Sequence, residues 1–98
     1  MTETKPSFAK LTDEQKTYME RVQIGNVFVT PKQIDEIADT FGLVGKSKGE
    51  LTAIRNSVVK YLGDLASVMR CCNDMKGYNH ALNALSGITA VIDSYLYA

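Results

Sequence analysis

The sequence predicts an all-α fold of four helices, the last two forming a long antiparallel helical hairpin. Several segments open with capping residues, which satisfy the free N–H groups of a first helical turn. Apolar residues also recur at intervals of three and four along the second half of the chain. Beyond the short run Val27–Val29, no stretch has the alternation typical of a β-strand.

The first helix is expected to begin after Thr12 and to run to Ile24, where Gly25 ends it. Thr12 and Gln15 have the spacing of a capping box, in which each side chain bonds a backbone N–H group. Three residues form its apolar side: Tyr18, Met19 and Val22.

The second helix has a stronger start signal. Thr30 is the expected N-cap, Pro31 suits the first helical position, and Gln33 completes a second capping box. Apolar residues then follow at helical spacing: Ile34, Ile37, Ala38 and Phe41. Gly42 is predicted to end the helix in the left-handed conformation.

The third helix is predicted to be long, because Ser47 and Glu50 form a third capping box and an apolar seam follows. The seam consists of Leu51, Ile54, Val58, Tyr61, Leu65, Val68 and Cys72. Further apolar residues lie beside it and indicate more than one packing neighbour: Val59, Leu62 and Met69. Asn73–Gly77 is interpreted as the hairpin turn.

The fourth helix carries a single formal charge, Asp93, and its polar positions are mostly small. A helix with almost no charged face is usually covered nearly all round, and a short chain has few residues to cover it. We therefore expect self-association through the hairpin. The predicted self-association or partner face consists of Leu85, Ile88, Ile92 and Tyr95.

The composition favours a cytoplasmic protein. The 98 residues are expected to form one helical domain, with residues 1–10 as a flexible N-terminus. Lys plus Arg and Asp plus Glu number 11 each, so the sequence contains no basic tail or acidic stretch, and a basic face made by folding stays open. The first residues lack the apolar core of a signal peptide, and no stretch is apolar enough to span a membrane. Adjacent Cys71 and Cys72 indicate free thiols, one in the core and one near the surface.

The segment Gly42–Gly49 raises the question of anion binding. Lys46, Ser47 and Lys48 lie where the N–H groups of the third helix start could receive a phosphate or a nucleic-acid backbone. A phosphate loop of the G-x-x-x-x-G-K-[ST] type is excluded because the spacing is two residues short. The helix, G-x-x-G, helix order resembles the KH module, although that fold needs a sheet.

Residues 30–55 can also be read as a helix-turn-helix, with Arg55 on the second helix as a phosphate contact. The connection from Gly42 to Ser47 is longer than usual for this motif, and the second helix continues far beyond it. Two packed helices of a bundle are therefore the favoured interpretation.

Catalytic and metal chemistry find little support in the sequence. His80 stands alone in an apolar helix and is expected to cap or hydrogen-bond at the hairpin turn. Asp35, Glu36 and Asp39 are interpreted as a solvated face. Neighbouring cysteines point in different directions on a helix, which disfavours a metal site. We therefore expect no enzyme activity, no cofactor and no metal.

These patterns favour a small non-enzymatic interaction protein that binds and occludes a partner macromolecule, as accessory factors and inhibitors do, including phage-encoded ones. A protein partner and a homo-oligomer are expected, and nucleic acid stays open. One alternative is a DNA-binding helix-turn-helix regulator. The second is an oligomeric binder, or sponge, of a nucleotide-like small molecule. In outline the hairpin resembles phage proteins that sequester cyclic nucleotides.

Overall fold

The computed structural model describes residues 8–25 and 29–98, and in these ranges it confirms the all-α prediction. Four helices follow one another along the described chain. Helix α1 spans Asp13–Arg21, α2 spans Pro31–Phe41, α3 spans Lys48–Cys71 and α4 spans Met75–Leu96. Two residues of the strand-like run Val27–Val29 lie outside the described ranges.

Helices α3 and α4 form the predicted antiparallel hairpin and make the most extensive helix pair. The 24 residues of α3 give a helix of roughly 36 Å at 1.5 Å per residue. The turn is shorter than the expected Asn73–Gly77. Asn73 takes a left-handed conformation with φ 59°, and the Asp74 side chain accepts a hydrogen bond from the Gly77 N–H at 2.9 Å. Because Asp74 is the N-cap, α4 already begins at Met75.

The predicted start and stop signals of the first three helices are confirmed. Complete capping boxes begin α1 at Thr12, α2 at Thr30 and α3 at Ser47. Gly42 ends α2 in the left-handed conformation, with φ 61° and ψ 46°, as its lack of a Cβ allows. The loop between Gly42 and Ser47 is therefore a helix stop followed closely by a helix start.

Helix α1 ends at Arg21, three residues before the predicted end at Ile24. Val22 turns into an extended conformation, with φ −63° and ψ 133°, and both Val22 and Ile24 are buried. Ile24 packs onto α4 where Gly87 has no side chain: a Cβ at Gly87 would lie 2.6 Å from Ile24 Cδ1. Burial of these two side chains outweighs continuation of the helix.

The hydrophobic core lies at one end of the hairpin, where α1, α2, Val22 and Ile24 cover it. Its fully buried members on α3 extend no further than Leu62, and those on α4 begin at Ala84. We call residues 66–83 the distal arm, which lies beyond this core. There the two helices bury Ala66 and Ala81. The apolar seam of α3 is therefore more exposed to solvent in the distal arm, where Val68 is 55% exposed.

The segment before α1 is tied to the middle of α3. The Ala9 N–H donates to the Ser57 hydroxyl oxygen at 2.8 Å and to the Ala53 carbonyl at 3.2 Å. The Ser57 hydroxyl donates in turn to the Ala9 carbonyl at 2.6 Å. Of the predicted flexible N-terminus, residues 1–7 lie outside the described ranges, while Ala9 is held by these bonds.

Candidate functional site

The start of α3 already carries a carboxylate where an anion was expected to bind. The Ser47 N–H donates to Glu50 Oε1 at 2.9 Å, and the Glu50 N–H donates to the Ser47 hydroxyl at 3.2 Å. The hydrogen bonds from Ser47 lower the pKa of Glu50, and the charge of Lys46 lowers it further. Two of the groups available to a phosphate are thus engaged within the protein.

The cations predicted to contact nucleic acid differ in whether they are paired within the protein. Lys46 and Lys48 are exposed near the α3 start. Arg55 instead faces α4, where its Nε donates to Asp93 Oδ1 at 2.8 Å in a partly exposed ion pair. Arg55 is therefore held against α4 by Asp93, which weighs against its use as a phosphate contact.

The predicted partner face divides between the core and the surface. Ile88 and Ile92 are both 0% exposed and belong to the core of the single chain. Leu85 and Tyr95 pack against that core but keep part of their surface accessible. Of the four residues predicted for the partner face, only Leu85 and Tyr95 therefore keep surface that a partner can contact in this conformation.

Both cysteines are exposed free thiols, which corrects the expectation that one lies in the core. Cys71 is the last residue of α3 and Cys72 is its C-cap, at the tip of the distal arm. His80 is also misassigned: it lies in the second turn of α4, and its buried Nε2 has no hydrogen-bond partner among the described residues. In the same ranges, no group of three His, Cys, Asp or Glu side chains is placed to hold a metal ion.

Two hollows along α2 and α4 form the candidate binding site, which we call the α2–α4 groove. The first has a volume of about 240 Å³ and is lined by Val29, Ile34, Ala90, Val91 and Ser94. The second, of about 300 Å³, is lined by Asp35, Ala38, Asp39, Gly42, Val44 and Tyr95. Both hollows are lined by residues of α2 and α4, and they therefore lie along the same pair of helices.

The groove has an apolar floor and two different rims. Ile34 is 37% exposed and Val44 is 77% exposed, so apolar surface is offered to solvent at both hollows. On the α4 rim, Ala90 and Ser94 are small and exposed. Small side chains keep this rim low, so that another chain can approach α4 closely.

The α2 rim is acidic. Asp35 and Asp39 stand four residues apart on the exposed side of α2, and neither forms an ion pair among the described residues. Glu36 points elsewhere and accepts a hydrogen bond from the Tyr18 hydroxyl at 3.5 Å. The exposure of Asp35 and Asp39 agrees with the interpretation of this stretch as a solvated face, and the same two side chains also line the groove. The sequence signal that could have indicated this acidic rim is the spacing of Asp35 and Asp39, four residues apart on one helix.

A third hollow, of about 330 Å³, lies between the N-terminal segment and α3. It is lined by Phe8, Ala9, Leu11, Lys16, Ser57, Lys60, Tyr61 and Asp64. Its charges are mixed, because Lys60 pairs with Asp64 at 3.2 Å. The Tyr61 hydroxyl donates to Glu20, and this bond is the main cause that raises the pKa of Tyr61 to about 12. The hollow has no consistent charge to select a ligand.

No protein-family model, curated protein or solved structure matches this chain. Among the helices of residues 8–25 and 29–98, none combines the length and apolar character needed to cross a bilayer. The geometry of the described side chains therefore carries the functional proposal.

Proposed function

We propose that the protein is a small, non-enzymatic interaction protein that binds a segment of a partner protein in the α2–α4 groove. Binding occludes that segment of the partner. The observation that carries the proposal is the pairing of exposed Ile34 and Val44 with the low α4 rim. An accessible apolar floor between two fixed helices gains free energy when a partner removes it from water.

The size of the groove suits a segment rather than a whole domain face. Its lining spans Ile34 to Gly42 on α2, a rise of roughly 12 Å at 1.5 Å per residue. Tyr95 supplies an aromatic ring with a polar hydroxyl at this surface. Aromatic side chains of this kind are frequent energetic centres of protein interfaces.

The proposal is tested by selecting displayed random peptides on the purified protein. The groove is blocked in the variant Ala90→Gln/Ser94→Gln, which lengthens two exposed side chains without adding charge. A matched control, Thr17→Gln/Ser67→Gln, makes the same change at exposed positions outside the groove. We expect enriched peptides to bind the wild type and the control but not the blocked variant. Enrichment of no peptide, or equal binding to all three proteins, would contradict the proposal.

Self-association is a separate part of the proposal. With Ile88 and Ile92 in the core, the remaining candidates are Leu85, Tyr95 and the exposed apolar residues of the distal arm. Those arm residues are Val68, Met75 and Leu82. Native mass spectrometry and sedimentation velocity measure the subunit number. A monomer at all accessible concentrations would remove self-association and leave the groove proposal unchanged.

A further inference from the structure

We propose that the occupant of the α2–α4 groove is a basic amphipathic helix, with lysine or arginine on one flank and aliphatic residues facing the groove floor. This inference rests on the proposed function, since it names the chemistry of the segment that the groove binds. Two observations lead to it: the unpaired aspartates of the α2 rim and the helical borders of the groove.

The acidic rim selects the charge of the occupant. Asp35 and Asp39 are exposed, line the groove and pair with no lysine or arginine of the described chain. Like charges at i and i+4 on one helix repel each other, so the free protein bears a small electrostatic cost. A cation placed beside both carboxylates removes that repulsion and adds attraction, whereas an acidic segment would increase it.

The ammonium group of Lys46, at the end of the groove, does not pair with this rim. Lys46 lies near the end of the groove, because its Cε would be 3.8 Å from a Cβ at Gly42. Its ammonium group is nevertheless not within ion-pair distance of Asp39. The groove lining itself contains two carboxylates and no lysine or arginine.

The borders of the groove select the conformation of the occupant. Both walls are helices, and the described residues offer no β-strand to which an extended peptide could add. Asp35 and Asp39 are separated by roughly 6 Å along α2, the rise of four helical residues. Basic residues four apart on a partner helix match this spacing, while its apolar positions meet Ile34 and Tyr95.

Synthetic peptides of known charge test the inference. The probes are helical peptides of about 18 residues with one leucine face, and their flanks carry either lysine, glutamine or glutamate. Binding is measured by titration calorimetry, and amide shifts of Ala90 and Tyr95 locate the peptide. We expect the lysine peptide to bind about tenfold more tightly than the glutamate peptide at low salt.

Removing the aspartate charges tests the cause of that preference. In Asp35→Asn/Asp39→Asn, the lysine and glutamate peptides should bind within about twofold of each other, while the glutamine peptide binds as it does to wild type. The exchange Asp13→Asn/Asp64→Asn, at exposed sites outside the groove, should leave the tenfold preference intact. Circular dichroism and thermal unfolding confirm that each variant is folded.

The outcomes separate the inference from the proposed function. Equal binding of all three peptides in the groove of the wild type would overturn the charge inference and support groove binding. Failure of every peptide to shift Ala90 or Tyr95 would overturn both. A dimer of the wild type that Ala90→Gln/Ser94→Gln abolishes would show that a second copy covers the groove, and would overturn a basic helix as its occupant.

Discussion

Gly87 of α4 lies directly against Ile24, and a Cβ at this glycine would come within 2.6 Å of Ile24 Cδ1. The same Cβ would be 3.1 Å from Val29 Cγ2. A helix interior normally disfavours glycine relative to alanine, by about 1 kcal/mol. Here the missing side chain lets Ile24 and Val29 pack closely onto α4.

We expect Gly87→Ala to lower the free energy of unfolding by about 1 kcal/mol. Overpacking costs about 1–3 kcal/mol, which exceeds the gain in helix propensity of about 1 kcal/mol. Gly63→Ala on α3 is the matched control, because a Cβ there meets no atom within 4 Å. It should raise stability by about 0.5–1 kcal/mol. Chemical denaturation of both variants measures the difference. If both substitutions stabilised the protein, the Ile24 side chain would have to move away from the new Cβ at position 87 without a cost in free energy.

The ion pair between Arg55 and Asp93 should contribute modestly to the hairpin. A double-mutant cycle with Arg55→Met and Asp93→Asn is expected to give a coupling energy of about 0.5–1 kcal/mol, since both side chains are partly exposed. For Lys60 and Asp64, which are 66% and 71% exposed, the expected coupling is smaller, about 0.3 kcal/mol. Unfolding at low and high salt measures both cycles. Equal coupling for the two pairs would contradict the role assigned to Arg55.

Alkaline pH should weaken the fold through Tyr18 and Tyr61. Burial, followed by the Glu36 charge, raises the pKa of Tyr18 to about 12, and the Glu20 hydrogen bond raises the pKa of Tyr61 to about 12. Because both folded-state pKa values exceed the unfolded value near 10, their stabilisation is complete below pH 10. It is lost as pH rises from about 10 through 12.

Absorbance titration of the phenols and unfolding at several pH values measure this effect. In Glu20→Gln, the pKa of Tyr61 should fall while that of Tyr18 stays raised, because burial is the first cause at Tyr18. Stability of this variant should then depend less steeply on pH above 10. An unchanged titration curve would show that the bond between Tyr61 and Glu20 is not formed in solution.

Replacing His80 by leucine should raise stability by about 1 kcal/mol. The buried Nε2 has no hydrogen-bond partner among the described residues, and an unsatisfied buried polar atom costs about 1–3 kcal/mol. His80→Gln is the control, because it keeps polar atoms at this position and should bring no such gain. Urea denaturation compares the variants. Destabilisation by leucine would indicate that a bound water or a partner group satisfies Nε2.

Local sequence signals were sufficient to locate most helix boundaries. Capping boxes at Thr12, Thr30 and Ser47 and the left-handed Gly42 act within a few residues, so they can be recognised without knowledge of the fold. The early end of α1 could not be recognised in this way. It depends on the contact of Ile24 with Gly87, which are far apart in the sequence.

The candidate site was only partly predictable for the same reason. Tyr95 keeps part of its surface accessible, and hydropathy alone could not separate it from Ile88 and Ile92, which complete the core. The aspartates of α2 were visible as a charged face. That they border an apolar groove depends on where α4 lies.

The sequence by itself determined that the described chain is helical, where three of its helices begin, and that its last two helices pair. These features depend on local hydrogen bonding and on the spacing of apolar residues. The tertiary structure alone decided which apolar residues remain exposed, because burial depends on every element that packs nearby. It placed Arg55 beside Asp93 and set Asp35 and Asp39 along the edge of an apolar groove. It also placed Ile24, beyond the early end of α1, against Gly87.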